Sequence, residues 1–311
     1  MAEPVIFQHP LAYLAGLEGV ALLRAFAGEH DEAFTRARLA ELRDLLAEPE
    51  RWGPGVEVHP LVAAEAYDGW APSYDGPNTM FEMEEPALFP ILDALPPGRA
   101  IDAACGTGRV AARLHAHGHD VRGYDVSPGM LSVARAKLPD VEFGLADLRD
   151  LPVPDAEADL LVVTLALAHV PDLAPVFAEA ARVLRTGGHL VVSDSRGVLA
   201  GSTLQPMPQE TPDGRIGYLP GRRHGTGEYV RVSLAHGFVV RACEEPIRPP
   251  MDADDDADDW DPPEPHAPAD PPNVWSLMGA APAAAWAAYL DTPALVVWDF
   301  ELVGVGPAIH S

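Results

Sequence analysis

Residues 100–109 read Ala100-Ile101-Asp102-Ala103-Ala104-Cys105-Gly106-Thr107-Gly108-Arg109, a short apolar run that opens into glycines. An amphipathic stretch follows to about residue 117. The pattern predicts a strand, a tight turn and a helix, with Gly106 and Gly108 freeing the backbone to turn and to approach a ligand. A Gly-x-Gly pair alone is a weak signal, and Ala111, three after Gly108, also permits a dinucleotide fingerprint. Asp102 argues against that alternative. An acid at the end of the first strand repels a pyrophosphate and suits a ligand with an ammonium group. Tyr124-Asp125-Val126-Ser127-Pro128-Gly129-Met130 follows, and Asp125 stands 19 residues after Gly106, where a carboxylate can hold two ribose hydroxyls. Asp147, with Leu148 beside it, offers an acid and an apolar face to match adenine.

Working outward, short apolar runs alternate with amphipathic helices. Strands are expected at Ala100–Ala104, Val121–Tyr124, Val141–Leu145, Leu160–Leu165 and His189–Ser193, with helices at 108–117, 127–137 and 173–184. Gly118, Gly187 and Gly188 sit where helices are expected to end. Such alternation specifies a doubly wound α/β sheet with helices on both faces. Residues 1–96 read as an N-terminal helical cap, with helices over 11–48 (broken at Gly28 and restarted by Asp31), 60–74 and 84–95. Residues 97–311 form the ligand-binding domain. Within it 196–224 reads as a long loop, Glu228–Ala235 as a helix, Phe238–Cys243 as a sixth strand, 276–290 as an Ala-rich helix and Ala294–Val303 as a seventh strand. Residues 244–293 are then an insertion or lid, carrying nine prolines between 246 and 272 and the acidic run Asp252–Asp261. That run lacks the glycine and closing glutamate of a calcium loop.

Composition excludes several classes. There are 47 acids against 21 bases, a formal net charge of −26, and Lys137 is the sole lysine. Phosphate contacts need Lys and Arg, so neither nucleic acid nor an anionic membrane is an expected partner. Cys105 and Cys243 give no disulfide framework. Met1–Pro10 shows no signal-peptide pattern, and Leu160–Ala168 is too short to span a bilayer. A cytoplasmic monomer or homodimer is expected.

Taken in order, these motifs resemble the class I S-adenosylmethionine-dependent methyltransferases that act on small molecules, of the bacterial, actinobacterial natural-product or detoxification kind. The family's acid-x-Gly-x-Gly-x-Gly motif maps onto Asp102, Ala104, Gly106 and Gly108, with Ala104 in place of a glycine. Asp125 matches the ribose acid, and Asp147 and Leu148 match the adenine contact. Leu165-Ala-Leu-Ala-His169-Val-Pro-Asp matches the end of the fourth strand. Tyr67-Asp-Gly-Trp70-Ala-Pro-Ser-Tyr74-Asp75 resembles an upstream Tyr-Asp segment whose second tyrosine bonds the cofactor carboxylate. The resemblance implies a seven-stranded Rossmann-like sheet, six strands parallel and one antiparallel, and S-adenosyl-L-methionine as cofactor, with S-adenosyl-L-homocysteine as product. The implied cofactor contacts are Tyr67, Tyr74, Asp102, Ala104, Gly106, Gly108, Arg109, Asp125, Val126, Met130, Asp147, Leu148, Leu165 and His169.

The expected activity is O- or N-methylation of a secondary metabolite. An enzyme that uses the cofactor without methyl transfer (a cyclase or decarboxylative hydroxylase) and an inactive binding module would keep the same motifs. His169 and His224 are the candidate general bases. His115, His117 and His119 fall at the helix end away from the glycine loop, and no metal site is assigned. The acceptor pocket is expected among Tyr67, Trp70, His169 and parts of 195–227 and 274–290, with Trp275 and Trp286 as apolar walls.

Overall fold

The structure is a computed structural model that describes residues 3–197, 199, 202–248, 272, 274–289 and 291–304. The acidic run Asp252–Asp261, and with it most of the lid reading, lies outside the described residues.

The chain opens with a strand β1 (Ile6–Gln8) and helices α1 (Pro10–Phe26) and α2 (Glu32–Ala47). Asp31 caps α2 by accepting the Phe34 amide at 2.8 Å. A strand β2 (Val56–Val58) pairs antiparallel with β1, and helices α3 (Ala63–Trp70) and α4 (Thr79–Ala94) follow. The reading of this region as purely helical missed both strands. At three residues each they are too short to show a period of two.

Next come β3 (Arg99–Ala103), α5 (Arg109–Ala116), β4 (Asp120–Asp125), α6 (Pro128–Lys137), β5 (Glu142–Leu145), β6 (Ala158–Thr164), α7 (Ala174–Val183) and β7 (Leu184–Ser195). The chain continues through β8 (Met207–Glu210), β9 (Ile216–Leu219), α8 (Thr226–Ala235), β10 (Phe238–Glu244), α9 (Val274–Ala280), α10 (Pro282–Tyr289) and β11 (Leu295–Leu302). The main sheet has seven strands in the order β10-β11-β7-β6-β3-β4-β5. β11 runs antiparallel to both its neighbours and every other pairing in this sheet is parallel, as the family resemblance implied.

Strand side chains divide strictly between two cores, as a period of two requires. Leu161 and Val163 enter the cluster built on Phe177, Tyr229 and Phe238, while Leu160 and Val162 enter the one built on Leu88, Val110 and Leu131. Both faces are therefore covered, which is why β6 reads as an unbroken apolar run. Leu88 and Leu92 place α4 in the sheet's second core, although the division at 96/97 assigns it to the cap. The rest of the cap has its own core, where Leu14, Leu17 and Ala21 of α1 pack on Ala284, Ala285 and Ala288 of α10.

Three expectations need correction. The 276–290 helix is two helices, because Pro282 cannot donate to the preceding turn and starts a new one. Gly187 and Gly188 end no helix; α7 stops at Val183, and the glycines lie in β7 opposite a register shift between Ala158 and Leu160. A Cβ at Gly188 would sit 2.9 Å from the Arg185 carbonyl oxygen. The loop 196–224 contains the β8/β9 hairpin, whose turn signal Thr211-Pro212-Asp213-Gly214 was present in the sequence. The hairpin is tied to the cap: the Leu61 amide donates to the Tyr218 carbonyl at 2.8 Å and the Tyr218 amide to the His59 carbonyl at 2.9 Å.

Phe177 is fully buried with its ring 5.4 Å from that of Phe300, 5.8 Å from Phe238 and 6.3 Å from Tyr229. Phe177→Ala removes the centre of this cluster and is expected to cost about 3–5 kcal/mol. Urea unfolding should show a lower midpoint with an unchanged slope.

Candidate functional site

The site forms where β3, β4 and β6 end. After β3 the chain passes through three left-handed residues, Ala104 at φ 60°, Gly106 at 54° and Gly108 at 82°. Glycine adopts this region freely, whereas at Ala104 it costs about 1–2 kcal/mol. A Cβ on Gly106 would meet no atom closer than Tyr74 Cε1 at 3.8 Å, so backbone conformation and not space is what favours glycine there. At Gly108 a Cβ would press on Ala134 and Leu138, each at 3.3 Å.

Asp125, at the end of β4, fixes the loop. One carboxylate oxygen accepts the Gly106 amide and the other the Ser127 amide, both at 2.8 Å. Burial raises its pKa against the pull of these amides. Two further carboxylates bring the cap over the loop. Asp68 accepts from Ser127 Oγ at 2.5 Å and from the Gly129 amide at 2.8 Å. Asp75 accepts from Thr107 Oγ1 at 2.6 Å and Lys137 Nζ at 2.8 Å. Burial raises the Asp75 pKa, but these two partners outweigh it and hold it below the usual range.

Between the cap and the strand ends lies a cleft of about 830 Å³, its open mouth included. Its wall contains Tyr67, Tyr74, Ala104, Gly106, Asp125, Val126, Met130, Asp147, Leu148, Leu165 and His169 among the residues singled out above, together with Arg149 and Thr164. Arg149 folds back on Asp147, donating from Nε at 2.8 Å and from its amide at 2.9 Å, and lowers that carboxyl's pKa. Leu165 is a second left-handed non-glycine residue on this wall, at φ 52°. Backbone strain of this kind gathers at ligand sites.

His169 sits in a one-turn segment, 167–169, with both ring nitrogens engaged. Nδ1 lies 2.7 Å from the Pro220 carbonyl, which can only accept, so Nδ1 carries the proton. Nε2 is then the acceptor for the Tyr67 hydroxyl at 2.8 Å. Burial lowers the His169 pKa and keeps the ring neutral. Burial likewise raises Tyr74 to about 12. Asp194 supports the turn from below, accepting the Ala168 amide at 3.1 Å and the Tyr229 hydroxyl at 2.7 Å.

Other expected residues fall outside the cleft. Asp102 is wholly buried beneath the glycine loop. Gly108 serves packing between α6 and the loop. Arg109 donates to Glu84 and to Glu85 and covers the Phe81 ring at 4.1 Å, because the first turn of α5 faces α4. His224 is not in a flexible loop; it is buried, and its Nε2 lies 2.9 Å from the Val170 carbonyl and 3.1 Å from that of Leu167. It braces the turn that presents His169. Trp70 stacks on Tyr67 behind the wall, and Trp286 packs in the α1–α10 core. The side chain of Trp275 lies outside the described residues. No described residue of 195–227 or 274–290 lines the cleft. Among the described residues no group of three His, Cys, Asp or Glu could hold a metal.

Arg149 and Asp194 were missed, and Asp68 and Asp75 were quoted without a role. Three of the four act through partners at least 26 positions away, and only the Asp147-x-Arg149 spacing carried a local signal.

Comparison with known proteins relates part of this chain to a family. Residues 101–192 match the model of a methyltransferase domain. A demethylmenaquinone methyltransferase of Renibacterium salmoninarum is 31% identical over 144 residues, covering 45% of this chain and 61% of the relative. A malonyl-[acyl-carrier protein] O-methyltransferase of Serratia marcescens is 31% identical over 150 residues, covering 48% of this chain and 57% of the relative. The chain thus spans less than two thirds of the length of these relatives. The DhpI–SAH complex superposes with a TM-score of 0.50 at 21% identity, covering 78% of this chain and 94% of that one, a likeness of fold.

Burial of Asp102 has a measurable consequence. It lifts the carboxyl to about 7. Its unfolded value is near 4, so the folded chain binds the extra proton between about pH 4 and 7 and loses stability as pH rises through that window. Asp102→Asn should flatten this fall by about 1–3 kcal/mol, seen as a smaller difference in unfolding free energy between pH 4.5 and pH 8.

Proposed function

We propose that this chain, whose residues 101–192 are a class I S-adenosylmethionine-dependent methyltransferase domain, transfers the methyl group of that cofactor to a heteroatom of a small molecule. The observation that carries this reading is the carboxylate of Asp125, set on the cleft wall beside the left-handed glycine loop.

The residues present suit the cofactor. Asp125 already accepts two amides and has lone pairs left for a ribose diol. Asp147 and Leu148 provide an acceptor and an apolar face for the adenine, and Val126 and Met130 provide apolar wall beside them. The left-handed turn at Ala104 and Gly106 exposes main chain to the methionine end, with the Tyr74 hydroxyl as its side-chain partner. When bound, S-adenosylmethionine supplies an electrophilic methyl group on a sulfonium sulfur. The chain's task is then to align the acceptor, exclude water and manage one proton. Tyr67, His169, Ala166 and Val170 form the remaining wall, where the acceptor is placed.

Charge narrows the acceptor class. A net charge of −26 repels nucleic acids and acidic carrier proteins, and favours a neutral or cationic small molecule. Among the described residues no helix is long and apolar enough to cross a membrane. A cytoplasmic location is part of the same reading.

Labelled cofactor fed to extracts with the purified chain should yield a product 14 Da heavier than its precursor. Unlabelled extract after full incubation would remove the methyl-transfer reading. Asp125→Ala should weaken S-adenosylmethionine binding at least tenfold by calorimetry, since each charge-assisted bond to a ribose hydroxyl contributes about 1.5–3 kcal/mol.

A further inference from the structure

We infer that Tyr67 and His169 form a proton relay, fixed in direction by the carbonyl of Pro220, that serves an acceptor whose reacting group is a hydroxyl. The inference rests on the methyl-transfer reading and assigns the proton that reading leaves without a destination.

Direction follows from hydrogen-bond chemistry. The Pro220 carbonyl cannot donate, so the His169 proton stays on Nδ1 and the Nε2 lone pair points at the Tyr67 hydroxyl. The Tyr67 proton is therefore directed at Nε2, which leaves the phenolic oxygen's own lone pairs for a group in the cleft. Both side chains line that cleft.

The pair is also held at a set separation. Tyr67 rides on α3 and Pro220 follows β9, and the two segments are joined by the Leu61–Tyr218 and Tyr218–His59 hydrogen bonds. The Arg222 amide donates to the Ala168 carbonyl at 2.7 Å, tying the same loop to the turn of His169. Gly69 allows this approach, since a Cβ there would lie 2.7 Å from the Glu210 carbonyl oxygen. The titratable groups facing the pair are Tyr74, whose ring centroid is 6.2 Å from that of Tyr67, and Asp125 at the end of β4. Among the described residues no carboxylate bonds the imidazole. An imidazolium formed there gains no ion pair that would hold its proton.

The step balances. The acceptor's hydroxyl proton moves to the Tyr67 oxygen as the Tyr67 proton moves to Nε2 of His169, giving an imidazolium and a neutral tyrosine. The acceptor oxygen's electron pair forms the bond to the methyl carbon. The carbon–sulfur pair remains on sulfur, which passes from sulfonium to neutral thioether.

Two measurements test the relay. The first needs no acceptor: nitrogen-15 NMR of the ligand-free chain, with His169 identified by its loss in His169→Gln. The Nδ1–H tautomer at pH 7.5, with an Nε2 shift that moves in Tyr67→Phe while Nδ1 stays, is expected. An Nε2–H tautomer, a charged ring, or an Nε2 shift indifferent to Tyr67→Phe overturns the inference. The second uses methyl-labelled S-adenosylmethionine and cell extract as acceptor source. Tyr67→Phe and His169→Gln should each lose at least a hundredfold in labelled product at pH 7, with cofactor affinity within twofold of wild type. Both should recover as pH rises to 10, since the ionised fraction of an acceptor hydroxyl grows about tenfold with each pH unit below its pKa. Activity above a tenth of wild type, or a loss that pH does not relieve, reduces the pair to a clamp holding cap to core. If the wild-type chain labels nothing, the methyl-transfer reading is what fails, and the NMR result alone judges the pair.

Discussion

One carboxylate joins two loops here, and the site takes its dimensions from it. Asp125 has two oxygens, and each holds the amide of a different turn: Gly106 after β3 and Ser127 after β4. The parallel pairing of β3 with β4 brings the strand ends together, but it leaves the turns beyond them free to splay. Bonding both to a single rigid group removes that freedom. The glycine loop can then take its left-handed path, and Ser127 is set to cap α6 by accepting the Met130 amide at 3.1 Å.

The same economy recurs one layer out. Ser127, fixed from below by Asp125, is bonded from above by Asp68, and Thr107 of the glycine loop by Asp75. Three aspartates thus link strand ends, glycine loop and cap in one network. Elsewhere buried Glu84 bonds Ser193 and Arg109 on one face of the sheet, and buried Asp194 bonds Tyr229 on the other. A chain this acidic has charge to spare, and several of its acids are spent on polar hydrogens that would otherwise be buried without partners.

The parts of the architecture that were legible in the sequence are those set by local periodicity. Strands β3, β4, β6 and β7 read as apolar runs because both faces are covered, and the helices between them read as amphipathic for the same reason. The antiparallel β11 needed the family resemblance, since an antiparallel strand buried on both faces looks like a parallel one. The β8/β9 hairpin was missed because its first strand, Met207–Glu210, is only partly buried and shows no alternation. Most of the cleft wall was legible because it lies in short contiguous motifs at strand ends. What was not legible was long-range polar contact: nothing in the order of residues says that Asp68 reaches Gly129, that Asp194 holds Ala168, or that His224 lies behind His169 rather than beside it.

Lys137 gives the network an unusual chemical address. It is the sole lysine of the sequence, and its ammonium sits on Asp75 at 2.8 Å, partly open to solvent. An amine-directed reagent therefore has a single lysine side chain to find, and that side chain is part of the fastening between cap and glycine loop. Acylation would neutralise the charge that helps hold Asp75 ionised, leaving Thr107 as its remaining partner. In most proteins of this size such a reagent scatters over many sites. Here it would act as a selective handle on how firmly the cap closes over the loop.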